Sequence, residues 1–233
     1  MNIQSKPLSV LPNYASDSYL DAFSRINGLV IIGEGIACRH FRYLARAIPD
    51  DRDELLRLAD MEARHASDFV GCANNLKVKP DLTLAKRLFQ PLHDLFLSCE
   101  RDENIAGCLT IQGVIVECFA LAAYQNYLPV ADSYASPITA AVIDDESLHL
   151  SYAERWLKLN LTDAKTIVVE ISRKALPIAL AILKTLAGDM RKISIEPEEI
   201  VASFSEGFKQ SMESIGLSSK EVNPILIRAV ASI

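Results

Sequence analysis

Met61-Glu-Ala-Arg-His65 and Asp144-Asp-Glu-Ser-Leu-His149 are the two stretches that decide how this chain is read. Each places a glutamate three residues before a histidine: Glu62 with His65, and Glu146 with His149. Residues three apart on an α-helix lie about 60° apart on its cylinder and one turn up. Each pair therefore points one way and can grip a metal ion from a single helix face. A further glutamate precedes each pair, Glu34 by 28 residues and Glu117 by 29.

The two upstream glutamates come level with their pairs if each segment folds as a helical hairpin. The first turn falls near Ile48-Pro49, with Glu34 and Glu62 each 14 residues from position 48. The second falls near Asp132, with Glu117 15 residues before it and Glu146 14 after. Positions equally far from a turn sit at equal height in an antiparallel pair. Two such hairpins packed together bring six ligands to the centre of a four-helix bundle. That is the layout of di-iron carboxylate bundles: one Glu from each of two helices and Glu-x-x-His from the other two. The spacing repeats, but the surrounding sequence does not, so this is a repeated layout and not a repeated sequence.

The neighbours of Glu34 and Glu117 point to burial. Leu29-Val-Ile-Ile-Gly-Glu-Gly-Ile-Ala37 and Gly113-Val-Ile-Val-Glu-Cys-Phe-Ala-Leu-Ala-Ala123 are apolar runs around one acid each. An ionised carboxylate there costs on the order of several kcal/mol unless it is paired or metal-bound. An oxygen-rich site with few nitrogens suits iron or manganese better than structural zinc. His40 and His93 have no acid three residues before them and read as ordinary histidines. Cys72, Cys99 and Cys108 read as packing residues.

Outward from these motifs the chain reads as all-α. Three- and four-residue apolar spacing predicts helices over about 16–47, with Asp17 or Ser18 as cap, 51–75, 82–99, 103–126 and 133–159. Asp132 is the expected cap of the fifth. A sixth helix starts at Thr162 and bends at Pro177, and shorter ones cover about 197–214 and 218–231. Residues 1–15 are expected to be a flexible lead, and 16–233 a single ferritin-like domain of about eight helices.

The chain has 233 residues, half of them apolar, and a net charge of −6. Acidity argues against nucleic acid, which needs clustered Lys and Arg. Five scattered cysteines without a C-x-x-C pair indicate free thiols in a reducing compartment. No secretion signal is recognised at the start. The most apolar stretch, from Ile105 to Val130, is interrupted by Gln112, Glu117, Gln125 and Asn126, and fits a membrane span poorly. A cytoplasmic protein with no membrane span and no nucleic-acid partner is expected.

From about Ser18 to the C-terminus the chain resembles the cyanobacterial aldehyde-deformylating oxygenases, also called aldehyde decarbonylases, within the ferritin-like superfamily. The resemblance rests on Ser24-Arg-Ile-Asn27, Met61 to His65, Val116-Glu-Cys-Phe-Ala120, the Tyr124 to Asp132 turn, and Asp144 to His149. It implies metal ligands at Glu34, Glu62, His65, Glu117, Glu146 and His149. It implies two iron ions, with dioxygen as co-substrate. The implied reaction turns a long-chain fatty aldehyde into formate and an alkane one carbon shorter. Ferredoxin and its reductase would supply electrons, and an acyl-ACP reductase the aldehyde. Asp145, Arg64, Gln112 and Tyr124 are candidates to support the ligands, with Asp145 expected to orient an imidazole. A tunnel for the alkyl tail would be lined by Ile26, Val30, Phe69, Phe89, Phe119, Ala120 and Ala123. Ile32, Asp51, Gln125 and Ser151 depart from the residues expected in that family, which bears on turnover and chain-length preference.

Two other classes compete. Another ferritin-like oxidase or peroxidase would share the ligands, although the lack of C-x-x-C pairs counts against a rubrerythrin-like protein. A non-enzymatic helical bundle would use the same acids and histidines structurally.

Overall fold

In the computed structural model, which describes residues 11–232, the chain is helical almost throughout. Helix α1 (Asp17–Ala47) is capped by Ser16, whose hydroxyl accepts from the Tyr19 amide at 3.3 Å, one residue earlier than the expected caps. A short 3-10 turn, Pro49–Asp51, reverses the chain into α2 (Arg52–Asn75). Pro49 stops the first rod because it cannot continue the ladder.

The loop from α2 to α3 (Leu82–Arg101) docks on α1 at Gly28, where a Cβ would meet the Asp81 carbonyl oxygen at 2.9 Å. Glu103 takes a left-handed φ of 51°, and Asn104 caps the next rod through the Gly107 amide. The fourth helix thus begins at Ile105, two residues later than the sequence pattern suggests. That rod, α4, consists of α-helix Ile105–Leu109, a π-helical segment Thr110–Val116 and α-helix Glu117–Tyr127.

Asp132 accepts from the Tyr134 and Ala135 amides at 2.8 and 3.1 Å, and so caps α5 (Ala135–Leu159) as expected. Helix α6 (Leu161–Lys192) starts after Asn160, not at Thr162, and carries Pro177 inside one continuous helix. Helices α7 (Pro197–Ile215) and α8 (Ser219–Val230) complete the eight, the last opened by a Ser218–Glu221 capping box.

Helices α1, α2, α4 and α5 form the central bundle. Helix α6 packs along α1, α3 and the π-helical part of α4, and α7 and α8 cover α5 and α6. One hydrophobic core runs from Tyr19 to Ala229. Arg25 on α1 bonds both oxygens of Asp189 on α6 at 2.7 Å, which fixes α6 against the bundle. The Ile105–Val130 stretch reaches the length and hydropathy of a membrane span, yet 78% of its most apolar window is buried inside the fold. Residues 1–10 of the expected lead, and residue 233, lie outside the described residues. Its last part is held by the Tyr14 hydroxyl, which donates to the Val130 and Ala131 carbonyls.

Candidate metal centre

All six sequence-predicted ligands meet at the centre of the bundle, and all are buried. They fall into two overlapping groups, Glu34 with Glu62, His65 and Glu146, and Glu117 with Glu62, Glu146 and His149. Within each group the candidate ligand atoms lie within 4.8 Å of one another. The spacing argument paired each Glu-x-x-His with its own ion. The geometry divides the work differently, because Glu62 and Glu146 belong to both groups and are placed to bridge.

Distances support this division. His65 Nδ1 lies 3.5 Å from Glu34, 3.4 Å from Glu62 and 3.2 Å from Glu146. His149 Nδ1 lies 3.1 Å from Glu62, 3.2 Å from Glu146 and 3.7 Å from Glu117. Both oxygens of Glu62, Glu146 Oε1 and His65 Nδ1 are buried without a well-directed hydrogen bond. Buried polar atoms rarely stay unpaired in a native fold. Four carboxylates also balance two divalent cations in charge. The donor set and its orphaned atoms therefore fit a dinuclear cation site.

The electrostatics point the same way. Burial, then the charges of Glu62 and Glu146, raise Glu34 well above the carboxylate range. Burial and Glu146 do the same to Glu117. Burial pulls His65 down, but bonds to Glu146, Glu34 and Glu62 outweigh it and hold the imidazole up to about 12. His149 is raised in the same manner by Glu117, Glu146 and Glu62. Burial works against ionised Glu146, but bonds to Glu117, His149 and His65 prevail and hold it low. Without cations, the cluster balances itself by gathering protons, and bound cations would displace them.

The four candidate supporting residues all touch the cluster or its partners. Asp145 Oδ2 lies 3.0 Å from His65 Nε2, and the half-exposed Arg64 bonds the same carboxylate from outside. Gln112 donates to Glu117 at 2.8 Å, and the buried Tyr124 hydroxyl donates to Glu34.

A cavity of about 630 Å³ opens beside the carboxylates, with Glu34, Glu62, Glu117 and Glu146 on its wall. Ile26, Val30, Phe89, Phe119, Ala120 and Ala123 line it, as expected for a tunnel. Phe69 lines a second apolar cavity of about 540 Å³, which shares Ile26, Val30, Ala123, Tyr124 and Met190 with the first. Sequence reasoning missed Leu183, Leu186 and Met190. They sit on α6, which carries no ligand, so nothing in the motifs pointed to it.

Of the departing positions, Asp51 accepts from the Tyr152 hydroxyl at 2.9 Å, and Ser151 bonds back to the Ser147 carbonyl. Neither reaches the cluster. Ile32 is half-buried against the core, and Gln125 is exposed.

Comparison with known proteins fits this geometry. The model of the long-chain fatty aldehyde decarbonylase family matches residues 16–231. Among solved structures, one described as protein 19 with aldehyde deformylating oxidase activity from Synechococcus is 58% identical and superposes with a TM-score of 0.91. The match covers 93% of this chain and 99% of that one.

Proposed function

This chain belongs to the long-chain fatty aldehyde decarbonylase family, and from that premise we propose how its buried cluster works. The protein is an aldehyde-deformylating enzyme. Glu34, Glu62, His65, Glu117, Glu146 and His149 hold two iron ions, with Glu62 and Glu146 between them. With dioxygen and four electrons, the enzyme converts a long-chain fatty aldehyde to formate and the alkane one carbon shorter.

The observation that carries this reading is the opening of the carboxylate cluster directly onto an apolar cavity. Its size is within the range of small-molecule sites, and its walls are aliphatic and aromatic. Such a slot orients an alkyl tail with its polar end at the metals and keeps bulk water away. Bound iron supplies Lewis acidity toward the carbonyl and a store for electrons. Tyr124 and Gln112 present hydrogen-bond donors to the outer ligands Glu34 and Glu117, and Asp145 fixes the tautomer of His65. Val30 and Ala123, which border both cavities, set how the tail passes between them.

Ferredoxin and its reductase are the proposed electron source, and an acyl-ACP reductase the aldehyde supplier. All five cysteines are free and buried, which agrees with a reducing cytoplasm.

The test is anaerobic loading with ferrous iron, followed by octadecanal, a reducing system and oxygen. Heptadecane and formate in equal amounts are expected. Iron-loaded protein that yields neither would remove the reading.

A further inference from the structure

Two hydrogen-bonded threads lead from the cluster toward solvent among the described residues. One is His65–Asp145–Arg64. It spends both nitrogens of His65, because Nδ1 faces the carboxylates. Once Nδ1 holds a cation, the ring keeps its remaining proton for Asp145. The other thread avoids the histidine ligands: Gln112 Nε2 lies 2.8 Å from Glu117 Oε1, Gln112 Oε1 lies 2.6 Å from His40 Nδ1, and His40 Nε2 lies 2.9 Å from His93 Nδ1.

The donors in this second thread are fixed one by one. The Glu117 oxygen accepts, so the amide nitrogen of Gln112 faces it and the amide oxygen faces outward. His40 Nδ1 must then carry a proton. Burial holds His40 well below the usual imidazole range, so the ring is neutral and Nε2 presents its lone pair. His93 Nδ1 therefore donates. Every N–H in the thread points toward the metal centre. His40 is 1% exposed and stacks on the buried Phe96 at 3.5 Å between ring centroids, which holds its plane. His93 is only half-buried, with Arg39, Asp94 and Glu100 as its charged neighbours.

We propose that His93, His40 and Gln112 form a proton path from solvent to the Glu117 side of the metal centre. The inference rests on the reaction proposed above, which consumes protons inside an apolar pocket. An aldehyde, dioxygen, four electrons and three protons give an alkane, formate and one water, the electrons coming from a one-electron reductant. In each transfer His93 takes a proton from solvent and passes its Nδ1 proton to His40 Nε2. His40 passes its own to the Gln112 oxygen, and the amide releases an N–H proton at Glu117. No member is left charged, and the amide returns from its imidic form before the next transfer. The two histidines act at a distance from the substrate, and Gln112 on the cavity wall is the inner end.

The decisive variant is His93→Ala, at a half-buried position where folding is not at risk. Steady-state turnover at saturating aldehyde should fall about tenfold, the low end for a lost proton-transfer group. Imidazole in solution should restore it, and iron stoichiometry should stay unchanged. Unaltered turnover, or a loss that imidazole does not restore, overturns the path. Ring-nitrogen NMR of metal-free protein gives a readout independent of the reaction. Neutral His40 should carry its proton on Nδ1; a proton on Nε2 overturns the path even if the wild type makes alkane. If wild-type protein with the expected tautomer makes no alkane, the proposed reaction fails instead, and the path loses its purpose with it.

Discussion

Asp145 and His65 face each other at 3.0 Å from different helices, so the acid beside one bridging glutamate grips the imidazole of the opposite pair. The contact fixes the proton on Nε2 and leaves Nδ1 bare toward the carboxylates. Asp145→Asn should weaken iron binding at the Glu34–His65 position by roughly tenfold to a hundredfold. Ferrous titration monitored at equilibrium would read it, and an unchanged affinity would show that His65 needs no partner.

The overlap of the two ligand groups separates single-site from double-site lesions. His149→Ala or Glu117→Ala should leave about one iron per chain, since the Glu34–His65 group remains whole. Glu62→Ala strikes both groups and should lose nearly all iron. Metal analysis after desalting decides the matter; equal losses in all three variants would argue against bridging.

Val30 borders both cavities. A phenylalanine there fills the passage, so Val30→Phe should move the product profile toward shorter alkanes. Gas chromatography of products from a mixed-aldehyde assay checks this, and an unaltered profile would place the tail elsewhere.

Gly113 lies in the π-helical segment against Ala153 of α5, and an added Cβ would collide with the Ala153 methyl. Gly113→Ala should destabilise the fold by about 1–3 kcal/mol through overpacking. Adding Ala153→Gly should recover part of it, less the roughly 1 kcal/mol that glycine costs inside a helix. Thermal unfolding of the two single variants and the double variant measures the coupling.

Metal-free protein should lose stability as pH rises. His65 is held up to about 12 in the fold against an ordinary 6.5. The folded state then binds the extra proton, so its contribution is complete below about 6.5 and is lost as pH climbs toward 12. Glu34 and Glu117, also raised, act in the same direction from a lower starting pH. Glu146, held low, acts oppositely, and its contribution fades only as pH falls below about 4.5. Tm should drop between pH 6.5 and 9 in metal-free protein, and much less in the iron-loaded form, where cations replace the protons.

Much of this architecture was legible because ligands on helices obey a fixed period. Glu62 with His65, and Glu146 with His149, needed only three-residue spacing, and the turns at Pro49 and Asp132 levelled Glu34 and Glu117 with them. The Asp132 cap was readable for the same local reason. What escaped was tertiary. Leu183, Leu186 and Met190 reach the cavity only because α6 crosses the bundle. His40 and His93 looked ordinary because the link between them spans α1 and α3, far apart in sequence. Sharing of Glu62 and Glu146 depends on how two hairpins approach, which no spacing within one hairpin encodes. The π-helical segment Thr110–Val116 left no mark in an apolar run whose side chains fit either winding.

That segment carries one surplus residue relative to ordinary winding, inserted just ahead of Glu117. Trimming any single position between 110 and 116 would restore a regular rod and swing Glu117 about 100° around its axis. The carboxylate would leave the cluster, although every residue type needed for chemistry would still be present. Over these seven positions, chain length is under a tighter constraint than side-chain identity, and homologous sequences should vary in composition here while refusing gaps.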